Sequence, residues 1–455
     1  MKRLLASCFG MGWLPFAPGS WGSLPSTIIF ALMCHFEAPA ISIFIAMAAL
    51  AVVGGIICVK LTPSVIAATS QEDPPEVVAD EVAGQAITFL LIPLLAPKAM
   101  ASGQLWTTAV VGFLIFRAFD AIKPWPIYKL ERLPKGWGVL ADDLMASVYS
   151  AAALLIFARL GWLEYLSEAV RFDGRLNIIS AAILGAIQGL TEFLPISSSG
   201  HLVLLETFLK FNAATPQMLL FDLAAHAGTL IAIFIVFHKF IADLFTGLLT
   251  AGKSGTSPVA MYKENLSVRT LVLVIVVTIV TGAVGVIFKK YFLSARGSLA
   301  IVAAMWLVNG TLLLAAGRRK FVKGQLDLLQ LGFLSAAIVG LAQAAAIMPG
   351  ISRSGATICT AILIGLRRRL AVEFSFLIAI PAILGATAIE LVGHSGELGS
   401  GNLPISAVLA GSAVAAAVGV LALKLLIKVV GAGNLKFFGF YCYILAGFVI
   451  IYLLR

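Results

Sequence analysis

Two segments of the chain keep reactive side chains in surroundings that give them little else to do. Gln188 and Glu192 are four residues apart, so on a helix they share a face. Pro195 ends that helix, and Ser197, Ser198, Ser199, Gly200 and His201 follow. The second segment supplies Pro349, Gly350, Ser352, Arg353, Ser354 and Thr357. A guanidinium flanked by hydroxyls and a glycine turn suits a phosphate, because arginine offers a planar fork of charged donors. The N–H groups of a turn and a helix start add more donors. Together the segments hold a serine, an imidazole, a carboxylate and a phosphate clamp, a set fit for phosphoryl transfer. Glu192, His201, Asp222, His226 and Arg353 all lie in apolar context. A charge at the bilayer centre costs about 2.5–3.5 kcal/mol on the lenient insertion scale. One such residue reads as a helix end solvated by headgroups; five together read as a site.

The first third of the chain holds a different set: Asp80 with Glu81, Asp120, and Asp142 with Asp143, accompanied by Arg117 and Lys123. Clustered carboxylates suit a hard cation such as Mg²⁺, and the two basic residues suit a phosphorylated headgroup. A set of solvated interfacial loops accounts for the same residues equally well on composition alone. The Gly10-x-Gly12 pair is too weak by itself to mark a nucleotide site.

The elements that position these groups are apolar helices. Of the 455 residues 60% are hydrophobic and 12% are charged, about half the charge of a soluble domain. Stretches near the roughly 20 residues that a spanning helix needs lie at 41–61, 217–237, 270–288, 298–316, 374–392, 405–430 and 437–454. Shorter or interrupted ones lie at 82–96, 105–116, 144–160, 178–194 and 331–348. The expected fold is all-α and polytopic in a membrane. Charge divides unevenly: residues 1–172 carry 11 basic and 12 acidic residues, the remainder 21 and 10. Basic residues at membrane ends report topology and anionic lipid, so nucleic acid is not an expected partner. The five cysteines form no CxxC pair and read as small hydrophobes. MKRLLASC imitates a lipoprotein signal, but its apolar core is too short for one.

An internal repeat relates the two reactive segments at an offset of 155 residues. Gly185, Gln188, Ile196, Ser197, Ser199 and Gly200 match Gly340, Gln343, Ile351, Ser352, Ser354 and Gly355, and Phe221 matches Phe376. Broken helices in repeated halves are how membrane proteins bring polar backbone to the midplane. If the repeat is inverted, the two Ser-Gly turns face each other across one site.

EFLPISSSGH and PGISRSGAT resemble the signature segments of the undecaprenyl-pyrophosphate phosphatase family, also called the bacitracin-resistance family. FDLAAHAGTLIA and EFSFLIAIP resemble its flanking segments, from about Leu176 to the C-terminus. The resemblance implies inverted repeats with two re-entrant helix pairs and hydrolysis of undecaprenyl pyrophosphate to undecaprenyl phosphate. It implies Glu192 as the essential carboxylate of an (E/Q)xxxE element in which Gln188 is an allowed variant. Ser198 becomes the candidate nucleophile, His201 the base or acid, and Arg353 the pyrophosphate clamp. Ser197, Ser199, Ser352, Ser354 and Thr357 become supporting donors. Covalent attack by serine and attack by activated water both stay open, and a divalent cation, Mg²⁺ or Ca²⁺, is compatible with the site.

GMGWLPFAPGSWGSL, ADEVAGQAIT, FRAFDAIKPWPI and GWGVLADDLMAS resemble, in order, four segments of the phosphatidylglycerophosphatase A family over roughly Leu4 to Phe157. That resemblance implies Mg²⁺-dependent hydrolysis of phosphatidylglycerol phosphate, with Asp80, Glu81, Asp120, Asp142 and Asp143 as ligands and Arg117 and Lys123 on substrate. Ser20 and Ser147 depart from the usual threonine and glycine. The expected organisation is a first membrane domain at 1–161, an interfacial linker at 162–175 and a second membrane domain at 176–455, in a bacterial inner membrane. A homodimer is one assembly open to such a chain. Two rival readings stand: a lipid-phosphate transporter or flippase, and a degenerate first domain that serves only as an anchor.

Overall fold

The computed structural model describes residues 2–13, 17–71, 74–101, 103–130, 133–134, 136–170, 176–209, 216–253, 257–295, 298–318, 326–393 and 405–454. Residues 14–16 of the first motif, and Arg171, Asp173 and Arg175 of the expected linker, lie outside the described residues. No strand occurs among the described residues; one isolated bridge joins Leu326 and Leu366. Nine helices among them are long and apolar enough to cross a membrane, and the chain is a multi-pass helical membrane protein. It divides into two compact units, Met1–Val170 and Arg171–Arg455.

The main helices of the first unit are α1 (Pro18–His35), α2 (Ala40–Thr69), α3 (Ala79–Leu90), α4 (Leu105–Ile122), α5 (Gly136–Arg159) and α6 (Trp162–Val170). Helix α3 carries Asp80 and Glu81 in its first turn. Its 12 residues are too few to span, and it packs against α1, α2, α4 and α5. Pro93, in the short helix Ile92–Leu95, explains why the apolar stretch 82–96 is not one continuous helix. Phe89 stacks on Phe30 of α1 at 4.3 Å and 7°. Small residues let the backbones close in: a methyl at Gly84 would lie 2.7 Å from the Phe116 ring. Helix α6 covers the first part of the expected linker and buries Leu163 in the first unit's core.

The second unit contains α7 (Ile178–Phe193), α8 (Ser198–Leu209), α9 (Pro216–Lys253), α10 (Leu266–Ile287), α11 (Leu299–Ala316), α12 (Phe333–Ala345), α13 (Arg353–Ile364), α14 (Arg368–Gly393), α15 (Ile405–Gly431) and α16 (Lys436–Leu453). The repeat is visible in the helix boundaries. Helices α7 and α12 begin 155 residues apart, as do α8 and α13, and α8 and α13 end 155 residues apart. These four are short, at 16, 12, 13 and 12 residues. Each first member packs on a long helix from the other copy, α7 on α15 and α12 on α10. The α7–α15 approach depends on glycine: a methyl at Gly185 would fall 2.1 Å from the Gly411 carbonyl oxygen.

Candidate active sites

In the second unit the two Ser-Gly turns meet. Ser197 and Ser352 occupy equivalent positions, and each Oγ accepts the N–H of the glycine three residues on, Gly200 at 3.2 Å and Gly355 at 3.1 Å. Such caps satisfy helix-start donors that have no partner inside their own helix. Ser197 Oγ also accepts the Gly350 N–H of the other turn at 3.2 Å. Gly350 (φ 102°) takes the left-handed conformation that glycine tolerates. Buried Asn309 of α11 joins the turns: Nδ2 donates to the Pro195 carbonyl at 2.8 Å, and Oδ1 accepts the Ser352 N–H at 3.3 Å. Trp306 Nε1 donates to the Ile196 carbonyl at 3.0 Å. Irregular backbone is tolerated at membrane depth when it is satisfied in this way.

Glu192, on the last turn of α7, is the hub. Its Oε1 accepts Arg353 Nη2 at 2.8 Å, and its Oε2 accepts the Ser198 hydroxyl at 2.7 Å and Gln188 Nε2 at 3.3 Å. Its side chain is 9% exposed and that of Arg353 is 17% exposed. Arg353 Nη1 is buried with no hydrogen-bond partner among the described residues, so one arm of the fork is unsatisfied. Carboxylate, hydroxyl and guanidinium, brought from both copies, can bind a phosphoryl group and move the serine proton.

The other expected residues are placed differently. His201 does not reach Ser198 or Glu192. Its Nδ1 lies 2.7 Å from the Ser197 carbonyl and its Nε2 2.8 Å from the Tyr441 hydroxyl, while the ring stacks on Tyr441. A carbonyl only accepts, so Nδ1 carries the hydrogen. Ser199 meets Ser197, and Ser352 and Ser354 point to the Leu194 carbonyl. Thr357 donates to the Arg353 carbonyl and contacts Ser375. These five hydroxyl residues shape the turns. His226 and Asp222 of α9, counted with the site from sequence but given no individual role, are joined to it through His226, whose Nε2 lies 3.4 Å from Gln188 Nε2 and whose Nδ1 lies 2.8 Å from the Asp222 carbonyl.

In the first unit the expected carboxylates converge. Asp80 and Glu81 occupy the first turn of α3, where unpaired N–H groups favour negative charge. Oxygens of Asp80, Glu81 and Asp143 lie within 4.8 Å of one another, as do those of Asp120, Asp142 and Asp143. Arg117 pairs with Asp120 and Lys123 with Asp142, each at 2.7 Å. Asp80 Oδ1, Glu81 Oε2, Asp142 Oδ1 and Asp143 Oδ2 are buried without a hydrogen-bond partner among the described residues. Uncompensated buried oxygens are costly, and a hard divalent cation is what such a donor set fits. Sequence reasoning missed Gly19, where a methyl would lie 2.3 Å from Glu81 Oε1 and 2.8 Å from the Arg117 guanidinium. It also missed Gln85, fully buried with both amide atoms unpartnered among the described residues. Gly19 is the glycine of the only Pro-Gly pair in the first motif, a signal that could have found it. Ser147 is accommodated by donating to the Leu144 carbonyl.

Comparison with known proteins finds a match for each unit. Residues 181–448 match the family model described as bacitracin resistance protein BacA, and residues 4–158 match that of phosphatidylglycerophosphatase A. An undecaprenyl-diphosphatase from Methanosphaera stadtmanae is 39% identical over 281 residues, 61% of this chain and 98% of the relative. Proteins of the same name from Desulfatibacillum aliphaticivorans (37% identical; 61% of this chain, 99% of the relative) and Treponema denticola (40%; 58% and 94%) are similar to comparable shares of the chain. With the site assembled from both copies of its repeat, and the match spanning nearly the full length of those relatives, the chain belongs to the bacitracin resistance protein family, and the unit ahead of it is similar to phosphatidylglycerophosphatase A.

Proposed function

We propose that the second unit hydrolyses undecaprenyl pyrophosphate to undecaprenyl phosphate and phosphate, regenerating the polyprenyl carrier of peptidoglycan synthesis. The first unit hydrolyses phosphatidylglycerol phosphate to phosphatidylglycerol, and the chain works in the bacterial inner membrane. The observation that carries the first reading is Glu192 bonded at once to Ser198 and Arg353, with the second arm of Arg353 unsatisfied. Arg353 holds the terminal phosphate by that arm. Glu192 takes the Ser198 proton as Oγ bonds to the terminal phosphorus and the bond to the bridging oxygen breaks, releasing undecaprenyl phosphate. Water then cleaves the phosphoserine, phosphate leaves, and the proton returns to Ser198. The turns that carry these groups act as the bottoms of two re-entrant helix pairs.

In the first unit Asp80, Glu81, Asp120, Asp142 and Asp143 hold Mg²⁺. When bound, the cation supplies positive charge against the phosphoryl oxygens. Lys123 and Arg117 hold Asp142 and Asp120 in place and add positive charge for the phosphorylated headgroup.

Phosphate release by the purified chain tests both readings. Ser198→Ala and Glu192→Ala should each lower undecaprenyl pyrophosphate turnover by at least about 100-fold, whereas a pure transporter would release none even unmutated. Asp143→Asn should abolish phosphatidylglycerol phosphate hydrolysis and its response to Mg²⁺. Unchanged rates in these variants would remove the residues from the two sites.

A further inference from the structure

The imidazole that addresses the reacting groups is not the one in the Ser-Gly turn. His226 lies on α9, one helical turn after Asp222, and its Nδ1 is 2.8 Å from the Asp222 carbonyl and 3.4 Å from Asp222 Oδ1. Both oxygens accept, so Nδ1 carries the hydrogen and Nε2 projects away from Asp222. There it faces the Gln188 amide nitrogen at 3.4 Å, and the same nitrogen faces Glu192 Oε2 at 3.3 Å. An amide nitrogen has two hydrogens. One goes to the carboxylate and the other to the Nε2 lone pair. Turning the amide over would set its oxygen against Glu192 Oε2, acceptor against acceptor, so the carboxylate fixes which end of Gln188 His226 meets.

We propose that His226, oriented by Asp222, is a positioning residue of the phosphatase site: it anchors the Gln188 amide, which in turn holds Glu192 aligned on Ser198 and Arg353. The inference rests on the reading of Glu192 and Ser198 as reacting groups. It gives Gln188 a definite task. Without a second anchor the amide can rotate away, and Glu192 Oε2 then keeps only the hydroxyl whose proton it must take. His201 cannot substitute, since both its ring nitrogens are engaged with Ser197 and Tyr441.

The test uses the full chain in detergent, with phosphate release from undecaprenyl pyrophosphate as the readout. His226→Met, of similar length but without an acceptor at that end, should lower kcat about tenfold with KM within about twofold, the size of one lost hydrogen bond. His226→Gln places an amide oxygen where Nε2 stood and should recover to within about threefold of the parent. In the double variant Gln188→Met/His226→Met the losses should not add, because the two residues act through one contact. Equal impairment by Met and Gln, or additive losses, would overturn the proposal. If His226→Met does not fold, the comparison of His226→Gln on the parent and Gln188→Met backgrounds decides: it should slow the parent slightly and the Gln188→Met chain not at all, and an equal effect on both overturns the coupling. Ser198→Ala is run in parallel. An active Ser198→Ala protein sinks the reading of the site itself, whereas an inactive one beside an unaffected His226→Met sinks only the role of His226.

Discussion

At the scale of single residues, the ion pair between Arg353 and Glu192 separates two jobs that one positive charge could otherwise share. One nitrogen holds the carboxylate at 2.8 Å, and the other is left for a ligand. A lysine supplies a point charge with no fork and cannot do both. Arg353→Lys is therefore expected to lose most pyrophosphatase activity while the protein still folds, measured by phosphate release alongside thermal unfolding. A near parental rate would reduce Arg353 to an anchor for its turn. Glu192 and Arg353 were nameable from sequence because charge in an apolar segment has few uses, and Ser198 was nameable from the family resemblance of its turn. The surroundings of the two histidines were not. His201 sits in the signature turn, yet what occupies its ring is Tyr441, 240 residues away. His226 was visible as an oddity, but its reach to Gln188 depends on how α9 is rotated against α7, which spacing along a helix does not encode.

Among elements, the repeat was legible down to its offset, and the starts of α7 and α12 and both ends of α8 and α13 follow that offset. The exchange of packing partners between the copies was not, since the glycines that permit it look like ordinary small residues of a membrane helix. Gly185 bears most directly on it, because backbone oxygen cannot move aside as a side chain end can. Gly185→Ala should destabilise the protein by about 1–3 kcal/mol, read as a lower unfolding temperature in detergent. Gly252→Ala, with nothing within 4 Å of the added methyl, should not. Identical unfolding of the two variants would mean that α7 and α15 can part without penalty. In the first unit, the expected stretch 105–116 hid the most useful fact. Helix α4 runs on to Ile122 and so carries Arg117 and Asp120 on its final turns beside α5, an extension that an apolar window cuts off at the first charge.

For the molecule as a whole, the expected domains at 1–161 and 176–455 are proposed to act independently. Each unit holds its own complete set of charged groups. A chain beginning at Arg171 should hydrolyse undecaprenyl pyrophosphate unaided, and Arg353→Ala in the full chain should spare phosphatidylglycerol phosphate hydrolysis. Loss of both activities from that one change, in folded and inserted protein, would mean a shared site. The separation between Glu192 and Arg353, 161 residues along the chain, has a meaning for synthesis. At about 5–20 residues per second, the ribosome delivers Glu192 roughly 10–30 s before its cation. During that interval the nascent chain must shelter an anion with what has already emerged: first Gln188, then the Ser198 hydroxyl, then the α9 imidazole. A ribosome that stalls in between leaves the bilayer holding a carboxylate without its guanidinium.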